Sequence, residues 1–138
     1  MTDSETIRKI VRSTYEARTQ GDLTGTMAAF ANDIVFEFYG EGTRLPNVAS
    51  ETRGKPAVGK ILRELIDNFR FSDWREISFV VEGEKAALHW RATVTHTPNG
   101  RSETFDVFDF YTFRDGELVD LRQSTDTAKL VALLGSPA

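Results

Sequence analysis

The feature that most constrains the fold is a change in hydrophobic period after residue 70. From there to residue 125 apolar and polar residues alternate, and a period of two is typical of strands that bury one face. Asn99-Gly100 and Asp115-Gly116 interrupt the alternation and favour two-residue hairpin turns, because both central positions of such a turn need a positive φ. With a looser turn at residues 82–85, they predict four consecutive antiparallel strands, at about 71–82, 85–97, 102–114 and 117–125.

Most of the periodic sequence before residue 70 follows a helical period. A first helix begins with Thr2, Asp3 or Ser4 as its N-cap and ends at Gly21. Asp22 caps a short second helix that precedes a strand at about 34–40. A third helix begins at Pro56, and its apolar stripe, which includes Leu62, forms either core or the roof of a cavity. A short helix follows the last strand. The pattern predicts one α+β domain over residues 1–138.

The segment from residue 40 to residue 54 has no clear period and is rich in Gly, Pro, Asn and Ser. A loop of this length in a compact domain is often a lid or a binding loop. It can equally be a connector with some irregular strand, and both interpretations stay open at this point.

Charge and composition argue against several classes of function. The net charge is −4 and the basic residues are scattered, so no basic stripe is available to neutralise nucleic-acid phosphates. The absence of cysteine excludes disulfides and thiolate chemistry. The first residues lack the pattern of a signal peptide and no apolar run is long enough to span a membrane, so we expect a cytoplasmic protein.

Cross-strand partners can be counted outward from the two hairpin turns. This count pairs Trp90 with Asp109, and Asp109 in turn with Arg122. Asp109 is then a carboxylate on an otherwise apolar face. The predicted inner face holds Ile77, Phe79, Leu88, Trp90, Ala92, Val94, Phe105, Val107, Asp109 and Tyr111, with Asp120, Arg122 and Ser124 on the last strand.

The opposite face is mixed but too apolar to be fully solvated, and a second subunit is a reasonable cover for it. We therefore predict a homodimer packed through this convex face, on which Glu76 and Arg91 form an ion pair. The two histidines, His89 and His96, lie on opposite predicted faces, so we predict no metal site, and without a nucleotide-binding motif no cofactor. The convex face is predicted to hold Val80, His89, Arg91, Phe108, Phe110, Val119 and Leu121.

The order of elements resembles the cone-shaped superfamily named after nuclear transport factor 2, which includes ketosteroid isomerases, SnoaL-like polyketide cyclases and limonene epoxide hydrolases. The segments "GDLTGTMAAFANDIVFEF" and "FDFYTFRDGELVDLRQSTD" carry the resemblance, which covers nearly the whole chain. It implies a cone-shaped, curved antiparallel β-sheet wrapped around N-terminal helices. It also implies a pocket between those helices and the inner face of the sheet.

The resemblance assigns roles to single residues. Asp109 matches the carboxylic acid of the isomerase oxyanion hole, an acid that its apolar site keeps neutral. Thr14 aligns with the catalytic tyrosine of the isomerases, with Tyr15 one step away, and Phe38 stands where they have a general base. A steroid-type proton shuttle is therefore not expected.

Asp109 and Arg122 also suggest the arrangement of the epoxide hydrolases, in which carboxylates activate water and protonate the opening ring. Asp109 and Asp120 would be those carboxylates, with Arg122 orienting one of them. The same residues have a purely structural interpretation. A buried carboxylate must be paired to be tolerated, and an ion pair would serve that purpose.

Two functions remain open. One is a cofactor-independent acid/base enzyme that acts on a small, mostly apolar, oxygenated molecule by isomerisation, cyclisation, dehydration or hydrolysis. Asp109 would be its acid or base and Arg122 the orienter. The other is a non-catalytic protein of the same fold that binds a small apolar ligand or serves as an assembly module. In the enzyme hypothesis Tyr15 and Tyr111 donate hydrogen bonds, and the substrate-binding residues are Trp90, Tyr111, Thr14, Phe38, Phe105, Phe79 and Leu62.

Overall fold

The computed structural model describes residues 2–40 and 51–135 and has the predicted α+β class. Ten residues of the predicted loop at 40–54, namely 41–50, lie outside the described residues. The elements are α1 (Ser4–Thr19), α2 (Leu23–Thr26), β1 (Phe30–Phe38), β2 (Glu51–Arg53), α3 (Lys55–Asn68), β3 (Phe69–Glu82), β4 (Lys85–His96), β5 (Arg101–Arg114), β6 (Glu117–Thr125) and α4 (Thr127–Leu134).

Aspartate side chains begin three of the four helices. Asp3, Asp22 and Asp126 each accept a hydrogen bond from the backbone N–H three residues later, which satisfies one of the free donors at the helix start. Gly21 follows α1 with a φ of +75°, a conformation that glycine adopts without strain. These local signals place α1 and α2 as the sequence predicts.

The six strands form one curved, unclosed sheet in the order β2-β1-β6-β5-β4-β3. The four long strands from β3 to β6 are antiparallel as predicted, and β1 joins β6 in parallel. The short strand β2 lies within the segment at 40–54 and pairs with β1, in agreement with the alternative of a connector that contains some strand. Helix α1 packs against β3 and α3 against β1, so the core lies between the helices and the inner face of the sheet.

The hairpin between β4 and β5 differs from the prediction in its partners but not in its faces. Its loop spans four residues, Thr97 to Gly100, because His96 pairs with Arg101. Every partner is therefore displaced by two positions, and Trp90 lies opposite Val107 instead of Asp109. Because side chains alternate, a shift of two leaves the inner face unchanged.

The hairpin between β5 and β6 has the predicted turn, with positive φ at both Asp115 and Gly116. The register changes shortly after the turn. Phe113 pairs with Leu118, whereas Thr112 pairs with Asp120, so Val119 has no partner of its own on β5. Val119 is thus a β-bulge, and one extra residue turns the rest of the strand over.

The bulge makes the predicted faces of β6 wrong beyond residue 119. Leu121, predicted on the convex face, is buried at 6% exposure, and Gln123 and Thr125 also face inward. Asp109 lies opposite Gln123, so the predicted pairing of Asp109 with Arg122 is wrong. The side chains that move to the outer face are Asp120, Arg122 and Ser124.

Strand β3 carries two further irregularities, one at Asp73 and Trp74 and one at Ile77. The second leaves Ile77, predicted on the inner face, 43% exposed. It also places Glu76 opposite Trp90, where Glu76 accepts two hydrogen bonds from Arg12 of α1. The predicted pair of Glu76 and Arg91 is therefore wrong.

None of the helices in residues 2–40 and 51–135 is both long enough and apolar enough to cross a lipid bilayer.

The turn that sets the register of β6 can be tested at Gly116. Its φ is +82°, and a Cβ there would meet open space, so Gly116→Ala should lower the free energy of unfolding by about 1 kcal/mol through backbone strain alone. Gly59→Ala, inside α3 beside the flexible Met27 side chain, should leave it unchanged or raise it by up to about 1 kcal/mol. Urea denaturation of both variants checks the signs, and equal effects would contradict the turn assignment.

Candidate functional site

Asp109 is a buried carboxyl group, 3% exposed, near the middle of β5. Its Oδ2 atom accepts hydrogen bonds from Tyr15 Oη, from Trp90 Nε1 at 2.9 Å and from Tyr111 Oη at 2.7 Å. Its Oδ1 atom accepts one from Gln123 Nε2 at 2.9 Å. Four neutral donors from α1, β4, β5 and β6 therefore surround the carboxyl group.

Burial and hydrogen bonding act on the pKa of Asp109 in opposite directions. Burial disfavours the charged form and is the larger effect, so the pKa of Asp109 is raised, while the four donors reduce the rise. Burial likewise raises the pKa of Tyr15 and of Tyr111 well above 10, and the neighbouring carboxylate adds to the rise in both. Both tyrosines are therefore neutral donors at physiological pH.

Tyr15 is held in place by aromatic neighbours. Its ring stacks on Trp74 with the centroids 5.1 Å apart and packs against Trp90 at 5.0 Å. Its hydroxyl oxygen also accepts a hydrogen bond from Gln123 Nε2 at 3.2 Å. Tyr15 and Gln123 would lose these contacts if they moved away from Asp109. We call the three side chains, Asp109, Tyr15 and Gln123, the Asp109 cluster.

A cavity of about 90 Å³ adjoins the Asp109 cluster, with room for several water molecules. Tyr15 and Gln123 of the cluster also line the cavity, as does Trp90, which bonds Asp109. The rest of the wall is mostly apolar, which is typical of a small-molecule site with a few placed polar groups. The described wall residues are Thr14, Tyr15, Arg18, Thr26, Phe30, Phe36, Phe38, Leu62, Leu65, Phe69, Phe71, Trp90, Val94, Phe105, Val107, Leu121, Gln123, Thr125 and Leu130.

The structure brings most of the predicted site residues to this region. Asp109 and Tyr111 lie behind the wall, where they contact the cavity through Tyr15. Phe79 packs beneath Arg8 and Arg12 of α1, away from the described wall. Those that line the cavity are Thr14, Tyr15, Phe38, Leu62, Trp90 and Phe105.

Tyr15, and not Thr14, provides the hydroxyl group that reaches Asp109. The Thr14 hydroxyl donates its hydrogen bond to the backbone oxygen of Ile10, 2.8 Å away and one turn earlier in α1. The residue that aligns with the isomerase tyrosine therefore contributes to the wall, and its neighbour contributes to the Asp109 cluster.

Arg122 and Asp120 lie on the outer face, apart from the cluster. The Arg122 guanidinium donates to both carboxylate oxygens of Asp120 at 2.8 Å, to Glu37 at 2.5 Å and to Glu51 at 2.8 Å. These carboxylates, with Asp120 first, raise the pKa of Arg122 further above its usual range. The network joins β1, β2 and β6 and gives no support to a paired-carboxylate site around Asp109.

Gln123 and Arg18 are two residues of the site that the sequence prediction does not include. Gln123 was concealed by the bulge, which a count from the turn alone does not include. Arg18 belongs to the apolar stripe of α1 that contains Ile7, Val11 and Tyr15, and it is buried at 7% exposure. An arginine on that stripe is a signal that the sequence does contain.

In the part of the chain that the structure describes, no group of three or more His, Asp or Glu side chains is arranged to hold a metal ion. His89 instead contacts Asp106 at 2.7 Å and stacks on Phe108 at the outer face.

Comparison with known proteins places the chain in a structural context. The family model described as a SnoaL-like domain matches residues 11–121. An NTF2-like protein of unknown function from Burkholderia pseudomallei is 25% identical, with 99% of this chain and 100% of that chain covered and a TM-score of 0.83. No curated protein sequence matches the chain.

Two further structures share the fold. A "putative SnoaL-like polyketide cyclase" from Mesorhizobium loti is 25% identical over 89% of this chain and 98% of that chain, with a TM-score of 0.66. A "putative isomerase" from Rhodopseudomonas palustris is 24% identical over 99% of this chain and 100% of that chain, with a TM-score of 0.82. At that identity the second comparison supports the fold alone.

The raised pKa of Asp109 has a consequence for stability. A raised value means that the contribution of this group is full below its unfolded pKa and is lost as the pH rises through the folded pKa. The unfolding free energy of the wild type minus that of Asp109→Asn should therefore fall as the pH rises from about 4. Urea denaturation across a pH series measures this difference.

Asp106 provides the matched control. The hydrogen bond from His89 lowers its pKa, so its contribution should be present at neutral pH and lost as the pH falls. The difference between wild type and Asp106→Asn should consequently rise with pH. If the Asp109 difference also rose with pH, hydrogen bonding would outweigh burial at Asp109.

Proposed function

Because the chain belongs to the SnoaL-like domain family, we propose that it binds a small, mostly apolar molecule with a carbonyl or hydroxyl oxygen and catalyses a cofactor-independent acid/base reaction on it. One observation carries the proposal: Tyr15 and Gln123 line an apolar cavity and at the same time bond the buried Asp109. The ligand oxygen would lie against Tyr15 and Gln123.

The Asp109 cluster supports a proton relay. In its neutral form Asp109 can donate its own O–H to the Tyr15 oxygen, which frees the Tyr15 hydroxyl to donate to the ligand oxygen. Burial raises the pKa of Asp109 and so favours this form. A donor held in a mostly apolar site stabilises the negative charge that develops on a carbonyl oxygen during enolisation.

The proposed reaction class rests on the acid and base groups that the cavity wall contains. Enolisation followed by isomerisation or cyclisation needs an acid at the oxygen and a base at carbon. The cluster provides the acid. Phe38 stands where the isomerases have their base, so a base from solvent, hydroxide or a buffer anion, would remove the proton from carbon and carry it away. The name of the Mesorhizobium loti relative, a polyketide cyclase, is consistent with this class.

A second function is favoured by the same wall. Among the described residues that line the cavity, none is an aspartate or a glutamate. A protein that only binds its ligand needs the hydrogen bonds of Tyr15 and Gln123 but no base. Turnover therefore separates the two functions.

We expect the wild type to accelerate the exchange of the α-protons of 1-indanone with deuterium oxide. Tyr15→Phe and Asp109→Asn should each reduce that rate by about a hundredfold, because each removes one part of the donor that faces the oxygen. Proton NMR measures the exchange. Tyr39→Phe, a change at an exposed tyrosine 49% accessible, is the matched control and should leave the rate unchanged. Binding of 1-indanone without exchange would favour the binding function.

We also propose that the outer face of the sheet joins two copies of the chain. Val80, Phe108 and Phe110 are exposed there by 59%, 50% and 48%, and they lie on β3 and β5, the two strands that flank β4. Exposed aromatic side chains that lie together are costly in water and mark an association surface.

Phe108→Asp should convert a dimer into a monomer, because it places a charge in the middle of an apolar interface. Light scattering after size-exclusion chromatography measures the mass. The control is Ala57→Asp, which adds the same charge at an exposed position of α3. A monomeric wild type at micromolar concentration would contradict the proposal.

A further inference from the structure

Arg18 is a buried cation in the wall of the cavity. It lies in the last turn of α1, three residues after Tyr15, so the two side chains project from the same side of the helix. The residue is 7% exposed, and its guanidinium carbon lies 3.8 Å from the centroid of the Phe71 ring, which is also part of the wall. The cavity therefore has a cationic group about one helical turn from its hydroxyl group.

The hydrogen bonds of Arg18 leave most of its donors unused. In the described part of the chain both of its bonds are donated by Nη2, to the backbone oxygen of Leu65 at 3.1 Å and of Phe69 at 2.8 Å. A guanidinium carries five N–H groups, so Nε and Nη1 retain three without a protein acceptor there. Among the described residues, no carboxylate shifts the pKa of Arg18, and Tyr15 is the one residue whose charge acts on that pKa.

A buried charge without a counter-charge is costly, and buried arginines are almost always paired. Burial lowers the pKa of Arg18 to about 10, which leaves the side chain protonated at neutral pH. The two carbonyl groups at the end of α3 offset part of the cost through their partial negative charge. The rest of the positive charge has no counter-charge among the described residues, and Arg18 carries it in the wall of the cavity.

We infer that the ligand of this cavity carries a carboxylate, which Arg18 binds through its unused N–H groups while a second oxygen of the ligand lies at Tyr15. The inference rests on the proposed function, which supplies the ligand site, and it adds the class of ligand: small apolar carboxylic acids with a further oxygen. Hydrogen bonds between charged groups are stronger than those between neutral groups, and Phe71 holds the guanidinium plane in place.

A structural role is the competing explanation. Through Leu65 and Phe69, Arg18 ties α1 to the junction of α3 and β3, and that tether alone could explain an arginine here. The two explanations differ in one measurable quantity. A tether affects all ligands alike, whereas a carboxylate site distinguishes an acid from its neutral amide.

The test compares phenylacetate with phenylacetamide, which have nearly the same shape and differ in charge. Isothermal titration calorimetry should show that the wild type binds phenylacetate about tenfold or more tightly than the amide. Arg18→Gln should abolish that preference without weakening the amide, and Arg18→Lys should restore part of it. Arg12→Gln, which removes an exposed arginine paired with Glu76, should keep the wild-type preference.

Each other outcome overturns the inference. Equal binding of acid and amide by the wild type excludes a carboxylate site, as does an equal loss for both ligands in Arg18→Gln. If neither probe binds but 1-indanone does, the carboxylate inference fails while the proposed function stands. If none of the three binds, the proposed function fails as well.

A second measurement covers the case in which Arg18→Gln does not fold. The nitrogen-15 resonances of the Arg18 side chain in the wild type should move when phenylacetate is added and stay in place with the amide. Movement with both ligands, or with neither, would contradict the inference.

Discussion

The bulge at Val119 decides which side chains of β6 meet Asp109. Without it, the strand would direct Arg122 at the carboxyl group, and an ion pair would hold the carboxylate charged. With it, Gln123 lies there instead, and the carboxyl group has four neutral donors and no cation among its bonded neighbours. Burial then dominates and raises the pKa of Asp109. One extra residue in a strand thus changes the protonation chemistry of the site.

The same bulge determines which polar side chains of β6 lie on each face of the sheet. The inner face carries the Asp109 cluster beside a mostly apolar cavity, with Arg18 one helical turn away from Tyr15. The outer face receives Arg122, whose partners Asp120, Glu37 and Glu51 join three strands at one corner. Arg122 and its carboxylate partners join the strands on the outer face, away from Asp109, and Val80, Phe108 and Phe110 are exposed on that same face.

The sequence predicts much of this fold because its signals are local. Aspartate caps, the change of period after residue 70 and the turn at Asp115-Gly116 locate the elements, and the inner faces of β4 and β5 tolerate a shift of two residues. The bulge is a non-local choice, since it buries both Leu118 and Leu121, whose spacing of three cannot lie on one face of a regular strand. That spacing is the signal that would have corrected the face of β6 and revealed Gln123. The burial of Arg18 could likewise have been predicted from its place on the apolar stripe of α1.

The protonation of Asp109 is the property on which the proposed chemistry depends, and it can be observed directly. Carbon-13 NMR of the Asp109 carboxyl carbon, followed against pH and assigned with Asp109→Asn, gives the midpoint of its titration. The structure predicts a midpoint above the ordinary value for aspartate, about 4, because burial outweighs the four hydrogen bonds. A midpoint at or below that value would show that the donors hold Asp109 as a carboxylate, and it could not then serve as the acid behind Tyr15.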